Sequence, residues 1–383
     1  MFIAGEASGD LLAAELVEAL KQSPEVQTMP FPPTFFGAGG LQMANAGVAL
    51  ALDLTQHAVT GFSDVLKKYW VFKRIFDQLV RLAIEHKPDV IICVDFQGFN
   101  RRLVHAVRRY VRVRHATFNN WNPKIVQYVS PQVWASRPGR AYQLAEDVDL
   151  LLSIIPFEKE WYAERMPKLR AEFVGHPIAE RVQTSDFRLQ TSNAPSVLLL
   201  PGSRADELRR HLPVMIEAAR NIQKQKPAAR FKMVLPNVEL KLLANGTSTP
   251  MPGLQVQVGD LPEALGDTIV AIASTGTVTL ECALFGVPTV AIYKTSWSTY
   301  FYARQIVMVK HIAMPNLLAN ETIYPELIQG AATAENIARE ALQLLNDAKR
   351  RDEVKIKLAQ IVKSLGEPGA SQRAAQAVVS LLR

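Results

Sequence analysis

The sequence predicts an α/β protein with two doubly wound, Rossmann-like domains that face a cleft. Short apolar runs alternate with helical segments along the whole chain, which is typical of parallel sheets covered by helices. The alternation occurs in two blocks, separated by the polar and breaker-rich stretch 181–195, which we interpret as a linker. In both blocks, loops rich in glycine and small polar residues follow apolar runs, at the strand ends where open α/β sheets bind ligands.

Length and composition limit the class of protein. A chain of 383 residues that is 48% hydrophobic is long enough to bury the cores of two domains. No apolar run reaches the ~18 residues that a membrane-spanning helix needs, and no signal peptide is recognisable. Cys93 and Cys282 fall in predicted core elements, as expected for free thiols in a reducing cytosol. The net charge of +7 favours anionic partners such as nucleotides, phosphorylated substrates or an anionic membrane, and no nucleic-acid-binding module is recognisable.

The first block, 1–180, is predicted to form the N-terminal domain. Its first strand, Phe2–Ala4, leads into the loop Gly5–Asp10, which carries Glu6 and precedes a helix over Leu11–Gln22. Asp10 is either a cap of that helix or a functional carboxylate. The buried strand Val90–Val94 delivers Asp95 to its carboxyl end. Further strands are predicted at 34–36, 125–128 and 150–154.

The second block, 196–349, is predicted to form the C-terminal domain. Apolar runs predict strands at 197–200, 231–235, 254–258, 269–273 and 289–292. Helical patterns follow at 296–309, 334–346, 350–365 and 371–382.

Two turns in the second block suit a phosphate group. The strand near Ile269 runs into Ser274-Thr275-Gly276-Thr277 and then a helix, so backbone amides and the positive helix end point at one site. A second strand runs into Pro201-Gly202-Ser203-Arg204, where a guanidinium adds a planar charged donor. Glu281 lies one turn into the helix, within reach of sugar hydroxyls. The alternative interpretation is an ordinary helix capped by Thr277, with Glu281 solvated.

Two basic segments in the first block leave two interpretations open. Residues 58–76 mix aromatic side chains with lysines and arginines, which is typical of an interfacial membrane segment but equally of an amphipathic core helix. The helix predicted from Asn100 carries five arginines on one broad face, which suits an anionic lipid or a substrate phosphate, or else simply faces solvent.

The motifs in their order along the chain resemble those of the lipid-A-disaccharide synthases (LpxB), inverting glycosyltransferases with the GT-B fold. The similarity covers nearly the whole chain, which makes it far more specific than a lone PGSR or TGT turn. The matching segments are AGEASGD (4–10), VTGFSDVL (59–66), VDFQGFN (94–100), YVSPQVWASR (128–137), PFE (156–158), FVGHP (173–177), LLLPGSRADE (198–207), STGTVTLE (274–281) and MPNLLANETIYPELIQ (314–329).

The resemblance implies a reaction and a set of roles. The family joins UDP-2,3-diacylglucosamine to 2,3-diacylglucosamine-1-phosphate (lipid X), giving a β-1,6-linked disaccharide 1-phosphate and UDP. Asp95 would be the general base, with Glu6 as the second candidate, and Arg204 would stabilise charge on the departing phosphate. The implied UDP-sugar contacts are Gly202, Ser203, Arg204, Thr275, Gly276, Thr277, Glu281, Asn316, Glu326 and Gln329. No cofactor is expected, since the UDP-sugar is a substrate. No metal is expected either, if Arg204 and backbone donors balance the charge of the phosphates.

The resemblance also implies lipid contacts. A peripheral enzyme on the cytoplasmic face of the bacterial inner membrane must reach acylated substrates, which favours the membrane interpretation of both basic segments. The implied acceptor or membrane contacts are Val59, Gly61, Phe62, Val65, Leu66, Tyr69, Trp70, Arg101 and Arg102. The C-terminal helices, about 350–383, are expected to pack back on the first domain or to exchange between the subunits of a homodimer.

This chain departs from the family pattern at a few positions. Gly98 stands where the family often has a second aspartate, Gln97 where it often has proline, and Ser136 where it is often aromatic. Two other functions stay open: a different UDP-sugar transferase acting on a lipid-linked acceptor, and a nucleotide- and lipid-binding relative without catalysis. Donor profiling separates the first from a synthase, and turnover with purified substrates separates the second.

Overall fold

The computed structural model describes residues 1–57, 69–114, 120–183, 196–248 and 251–382. The chain forms two compact units. Unit 1 comprises Met1–Glu180 and Leu365–Arg383, and unit 2 comprises Arg181–Ser364. Each unit is built around one parallel sheet, so the predicted α/β class with two Rossmann-like domains is confirmed.

Over the described residues, unit 1 has a seven-stranded parallel sheet in the order β3-β2-β1-β4-β5-β6-β7. Its strands are β1 (Phe2–Ala4), β2 (Phe36–Gly39), β3 (Ala49–Asp53), β4 (Val90–Val94), β5 (Lys124–Tyr128), β6 (Leu150–Ser153) and β7 (Arg170–Phe173). Its first helices are α1 (Ala7–Gln22), α2 (Pro24–Gln27), α3 (Leu41–Asn45), α4 (Tyr69–His86) and α5 (Gln97–Arg114). They are followed by α6 (Val133–Ser136), α7 (Arg140–Asp147), α8 (Glu158–Arg165) and α9 (Ile178–Gln183), whose last residues enter unit 2.

Over the described residues, unit 2 has a six-stranded parallel sheet in the order β10-β9-β8-β11-β12-β13. Its strands are β8 (Ser196–Leu200), β9 (Arg230–Leu235), β10 (Leu254–Val258), β11 (Val270–Ser274), β12 (Thr289–Tyr293) and β13 (Glu326–Ile328). Its helices are α10 (Ala205–Gln225), α11 (Val238–Thr247), α12 (Leu261–Gly266), α13 (Thr277–Leu284), α14 (Trp297–Ile306), α15 (Met314–Ala319), α16 (Ala334–Asn346) and α17 (Ala348–Ser364). The last helix of the chain, α18 (Ala370–Ser380), belongs to unit 1.

The central strands are apolar throughout because helices cover both faces of each sheet. In β4, Ile92 and Val94 join the core under α1 and α18, whereas Ile91 and Cys93 join the core under α4 and α5. Unit 2 repeats this arrangement: Val197 and Leu199 of β8 face α10 and α16, and Leu198 and Leu200 face α12 and α13. Because all the described strands of each sheet are parallel, their carboxyl ends lie at one edge of that sheet.

The chain returns to unit 1 at Leu365, and not near residue 350 as the sequence suggested. Helix α17 packs in unit 2, where Val354, Leu358 and Ile361 are buried, so it does not belong with the helix that follows it. Helix α18 packs on α1 and contributes Ala374, Ala375, Ala377, Val378 and Val379 to the core of unit 1. A break at Gly366–Gly369 separates the two helices, since both glycines have positive φ.

Several boundaries differ from the sequence expectations. Helix α1 begins at Ala7, so only Gly5 and Glu6 remain of the expected loop Gly5–Asp10. The second strand begins at Phe36 and not at Thr34. Strands β3, β7 and β13 were not predicted. β7 and β13 are short and lack a clear apolar run, whereas β3 lies in the apolar run 48–52 but none of its residues is fully buried.

Candidate functional site

The two turns that the sequence singled out lie side by side in unit 2. They follow β8 and β11, which pair directly, with Leu200 opposite Ala273. This pair is the point at which the strand order of the sheet reverses, and a crevice forms there in open α/β sheets. The local sequence pattern and the sheet topology therefore indicate the same place for a ligand, at the carboxyl ends of β8 and β11.

Both turns depend on a glycine with a left-handed backbone. Gly202 has φ of 123° and Gly276 has φ of 121°, values that strain any residue with a side chain. Gly276 is also the N-cap of α13, so no side chain caps the first amides of that helix. This corrects the alternative in which Thr277 was the cap: Thr277 is the first helical residue. The uncapped helix end keeps its donors and its positive dipole for a ligand.

A pocket of about 520 Å³ opens between the two turns. Its wall contains seven predicted residues: Gly202, Ser203, Arg204, Thr275, Gly276, Thr277 and Glu281. It also contains Glu207, Val234, Pro236, Gly259, Asp260 and Leu261, which the sequence analysis missed. Val234 lies near the carboxyl end of β9, and the other five residues follow β9 and β10 or begin the helices after β8 and β10. The rule for strand carboxyl ends, applied to every strand, therefore finds most of them.

A carboxylate occupies part of the anion-binding turn. Glu207 Oε2 accepts a hydrogen bond from the Ser203 amide at 3.3 Å, and Glu207 Oε1 lies 3.6 Å from Arg204 Nη1. Arg204 is about half exposed, with 53% of its side chain accessible. The amide and guanidinium thus contact an internal negative charge in the same places where they would contact a phosphate.

A buried histidine links the turn after β8 to the residue that follows β12, two strands away in the sheet. His211 Nδ1 lies 2.9 Å from the Pro201 carbonyl, and its Nε2 accepts a hydrogen bond from the Lys294 amide at 2.9 Å. Both bonds require the neutral ring with its proton on Nδ1. Burial lowers the pKa of His211, which favours that neutral form.

The three predicted residues nearest the end of unit 2 are engaged in internal hydrogen bonds. Fully buried Asn316 donates to the Tyr324 carbonyl and to Glu326, and accepts the amides of Ile323 and Tyr324. Glu326 also accepts the amides of residues 312 and 313. Gln329 exchanges two hydrogen bonds with the backbone of Thr295. These side chains hold the loops after β12, and none of them lines the pocket.

In unit 1, Glu6 and Asp95 follow neighbouring strands. β1 and β4 pair directly, with Ala4 opposite Val94, and they form the reversal point of this sheet. Asp95 has φ of 48° and Phe96 has φ of 44°, so two consecutive non-glycine residues adopt the left-handed region. Such conformations cost about 1 kcal/mol or more each and concentrate at functional sites.

Hydrogen bonds from buried amides hold this conformation. Asn100 Nδ2 donates to the Asp95 carbonyl at 2.8 Å, and Gln127 Nε2 lies 3.4 Å from the same oxygen. The ring of Phe96 packs so closely on Gly5 that any Cβ there would lie 2.4 Å from it. The loop with Glu6 and the turn with Asp95 are thereby packed together.

Asp10 has a structural role that neither sequence interpretation anticipated. It lies inside α1, is 4% exposed, and accepts the amides of Gly40, Gln42 and Met43 at 2.7 to 3.2 Å. It therefore caps α3 and not its own helix.

A second buried carboxylate lies at the end of β6. Glu158 is fully buried, and it accepts hydrogen bonds from Trp134 Nε1 and Ser153 Oγ, both at 2.8 Å. Burial raises the pKa of Glu158 to about 7, although these hydrogen bonds act in the opposite direction. The PFE motif thus anchors the VSPQVW segment by way of its tryptophan.

Five predicted lipid contacts, Val59, Gly61, Phe62, Val65 and Leu66, lie outside the described residues, as does the side chain of Tyr69. Trp70 is 70% exposed, and Arg102 is exposed on α5. The arginine face of α5 has more acidic neighbours than the sequence of the helix implied. Asp149 pairs with Arg108, and Asp147 lies 3.7 Å from Arg112, so acids from other elements neutralise part of it.

The described part of the chain contains neither a metal-binding cluster nor a membrane-spanning helix. No group of three or more His, Cys, Asp or Glu side chains there is arranged like metal ligands. Within the same residues, no helix is long and apolar enough to cross a bilayer.

Comparison with known proteins agrees with the geometry. The lipid-A-disaccharide synthetase family profile matches residues 1–381. A lipid-A-disaccharide synthase of Myxococcus xanthus is 36% identical over 392 residues, covering 100% of this chain and 97% of the relative. Among solved structures, a putative UDP-N-acetylglucosamine 2-epimerase from Listeria monocytogenes has a TM-score of 0.64 at 16% identity, covering 100% of this chain and 96% of its own.

The calicheamicin glycosyltransferase CalG4 has a TM-score of 0.61 at 14% identity, again over 100% of this chain and 96% of its own. At these identities the two solved structures show the fold, which is of the GT-B type. The full-length family match and the synthase from Myxococcus carry the assignment further, to a glycosyltransferase of lipid A biosynthesis. The chain belongs to the lipid-A-disaccharide synthase family.

Proposed function

We propose that this chain transfers 2,3-diacylglucosamine from UDP-2,3-diacylglucosamine to lipid X with inversion. The products are a β-1,6-linked disaccharide 1-phosphate and UDP. The observation that supports a UDP-sugar donor is the pocket of unit 2, which is lined by two glycine turns and an uncapped helix end. Membership of the family supports the acylated sugars as substrates.

The pyrophosphate of the UDP-sugar donor binds largely to backbone amides. The pyrophosphate takes the place of the Glu207 carboxylate at the Ser203 amide and beside Arg204, and its other end meets the first amides of α13. Glu281, which lines the same pocket, contacts the ribose hydroxyls. Asn316, Glu326 and Gln329 support the donor site by holding the adjacent loops, since their own polar atoms are engaged by the protein.

The reaction needs one base and one means of stabilising the leaving group. Asp95 accepts the proton of the acceptor 6-hydroxyl while that oxygen forms a bond to C1 of the donor sugar. The bond from C1 to the UDP oxygen breaks on the opposite face, which inverts the anomeric centre. Arg204 and the turn amides stabilise the negative charge that develops on the β-phosphate. Glu6 is the alternative base because it follows the neighbouring strand.

The test measures UDP release with lipid X present, for wild type and for Asp95→Asn, Glu6→Gln and Asp89→Asn. Asp89 is exposed and precedes β4, so its variant is a matched control at the opposite end of the strand. We expect Asp95→Asn to lose at least about 100-fold in kcat, as is usual for a general base, while the control keeps its rate.

Other outcomes are equally informative. Full activity of Asp95→Asn with loss in Glu6→Gln moves the base to Glu6. Turnover with a non-acylated UDP-sugar in preference to the diacylated donor contradicts the substrate assignment and favours another transferase. A folded wild-type protein that binds UDP but turns over no acylated donor of any chain length contradicts the enzyme proposal.

We also propose where the chain lies in the cell and how it assembles. We place the chain on the anionic cytoplasmic face of the bacterial inner membrane, with the segment 59–70 and Arg102 towards lipid, because Trp70 and Arg102 are exposed. A homodimer forms if α18 of one copy packs on α1 of another, since that contact is made here within one chain. Vesicle binding and sedimentation velocity test these two parts separately.

A further inference from the structure

Unit 2 carries an exposed apolar surface outside its pocket. Five residues on and just after α14 form it, and we call them the aromatic patch: Trp297 (59% exposed), Phe301 (59%), Tyr302 (55%), Val307 (40%) and Met308 (67%). The rings of Trp297 and Phe301 are neighbours, with centroids 5.9 Å apart. Large contiguous apolar surfaces are rare on soluble proteins and mark contact sites.

Helix α14 lacks the packing that stabilises other helices of this size. None of its ten described residues is buried. A helix of this length is marginal by itself in water and needs an apolar partner on one face. Its Ser296 cap, which accepts the Thr299 amide at 3.2 Å, replaces that packing only in part.

The chain segment that carries the patch has charged side chains of one sign. Between Glu281 and Glu321 the sequence contains no aspartate or glutamate, whereas Arg304 and Lys310 are both exposed beside the patch. A basic rim around aromatic side chains is complementary to an anionic interface. Tryptophan and tyrosine suit the boundary of a bilayer in particular, because one end of each ring is apolar and the other carries a polar group.

We propose that the aromatic patch is unit 2's own contact with an anionic lipid bilayer, separate from segment 59–70 of unit 1. The choice of lipid as the occupant rests on the proposed function, in which both substrates are acylated. The patch begins four residues after β12. The amide of Lys294, between β12 and the patch, donates a hydrogen bond to His211. His211 also contacts the Pro201 carbonyl, in the turn that we propose binds pyrophosphate. The unit that binds UDP therefore has its own contact with the bilayer, where the acyl chains of the substrates lie.

The first test is flotation of the full chain with vesicles of equal parts phosphatidylglycerol and phosphatidylcholine. The variant is Phe301→Ser with Met308→Ser. The matched control is Val238→Ser with Leu242→Ser on α11, where two similarly exposed apolar residues (60% and 67%) lie beside Glu239 and no aromatic ring. We expect about a tenfold loss of binding for the patch variant and no change for the control.

The second test addresses charge. Arg304→Glu with Lys310→Glu is compared with Lys224→Glu plus Lys363→Glu, two exposed lysines elsewhere in unit 2. We expect the first pair to lose at least about tenfold in binding to the anionic vesicles, and the second pair to lose much less. An equal loss in both pairs overturns the proposal, because net charge alone then explains binding.

A third measurement locates the contact and checks folding. Brominated lipids quench tryptophan fluorescence within the bilayer, and we expect Trp297→Phe to lose a part of the quenching that Trp70→Phe retains. Wild-type protein that fails to bind, or patch variants that bind like wild type, overturn the proposal. UDP release from detergent-dispersed substrates distinguishes this failure from that of the proposed function, because we expect patch variants to keep that rate.

Discussion

The two units share a strand order but use the reversal point of the sheet in different ways. Unit 2 makes its turns from Gly202 and Gly276, for which φ angles of 123° and 121° carry no side-chain strain, and a pocket stays open between them. Unit 1 forces Asp95 and Phe96 into the same region of φ and secures them with Asn100. One sheet therefore presents backbone amides and the other presents a carboxylate.

The difference follows from the task of each site. A phosphate is bound by several N–H groups at close range, and glycine allows the backbone to approach it. A general base needs one carboxylate in one orientation, which a strained turn with buried hydrogen bonds provides. Under the proposed function, the same topology supports a binding site in unit 2 and an acid–base site in unit 1, and the residue at the left-handed position sets the chemistry of each.

The largest effect we expect comes from breaking the glycine turn of unit 2. In Gly202→Ala, the new Cβ would lie 2.6 Å from Glu207 Oε2, and the φ of 123° adds strain. We expect the Kd for UDP to rise by about 10- to 100-fold, in line with about 1–3 kcal/mol of backbone strain. Calorimetric titration measures it.

Gly246→Ala is the matched control, because that glycine lies in α11 with open space around it and an ordinary φ. We expect it to keep the wild-type affinity for UDP. Unchanged affinity in Gly202→Ala would mean that the turn does not contact the nucleotide.

The next effect concerns pH, to which Glu158 of unit 1 and His211 of unit 2 respond in opposite directions. Burial raises the pKa of Glu158 in unit 1 to about 7, so its stabilising contribution is complete below about pH 4.5 and is lost as pH rises through 7. Burial lowers the pKa of His211 in unit 2, so its contribution is present above the unfolded value near 6.5 and is lost as pH falls below it.

Glu158→Gln tests the first of these. The amide reproduces the protonated acid, so we expect the variant to gain up to about 3 kcal/mol over wild type above pH 7 and nothing below about pH 4.5. Thermal unfolding across this pH range measures the change. Glu160→Gln is the control, since that residue is exposed on the same helix. A gain that is independent of pH would show that charge on Glu158 is not its cause.

The smallest effect concerns the departure from the family pattern at Gly98. A Cβ at this position meets nothing within 4 Å, and the residue lies in the first turn of α5, where a carboxylate is favoured by the helix dipole. We expect Gly98→Asp to raise the free energy of unfolding by about 0.5–1 kcal/mol and to change kcat less than about twofold. A tenfold rise in kcat would instead show that the missing carboxylate takes part in the reaction.

How much of the fold and of the candidate site the sequence predicts depends on whether a feature is set by neighbouring residues or by distant ones. Most central strands and both glycine turns were predicted, because buried runs and left-handed turns leave local signals such as Val90–Val94 and Gly276. The role of Asp10 could not be predicted, since its partners lie some 30 residues away in α3. The same holds for Glu158, whose high pKa depends on tertiary burial.

The FVGHP motif shows the limit most clearly. Arg373 donates to the Val174 carbonyl, and the His176 amide donates to the Leu365 carbonyl. Any Cβ on Gly366 would lie 3.3 Å from the Cα of Gly175. The motif thus receives the C-terminal segment, a partner about 190 positions distant that no local pattern reveals.

Because α18 completes the core of unit 1, the order of synthesis and the order of folding differ. The ribosome makes β1 to β7 first, but the face of α1 that packs on α18 has no cover until all of unit 2 has been made. Unit 2 is continuous in sequence, so the whole of it has been synthesised while the older part of the chain still lacks α18 and exposes the apolar face of α1. Such an intermediate binds chaperones and aggregates readily, so the first half of the nascent chain is the part that a cell must protect longest.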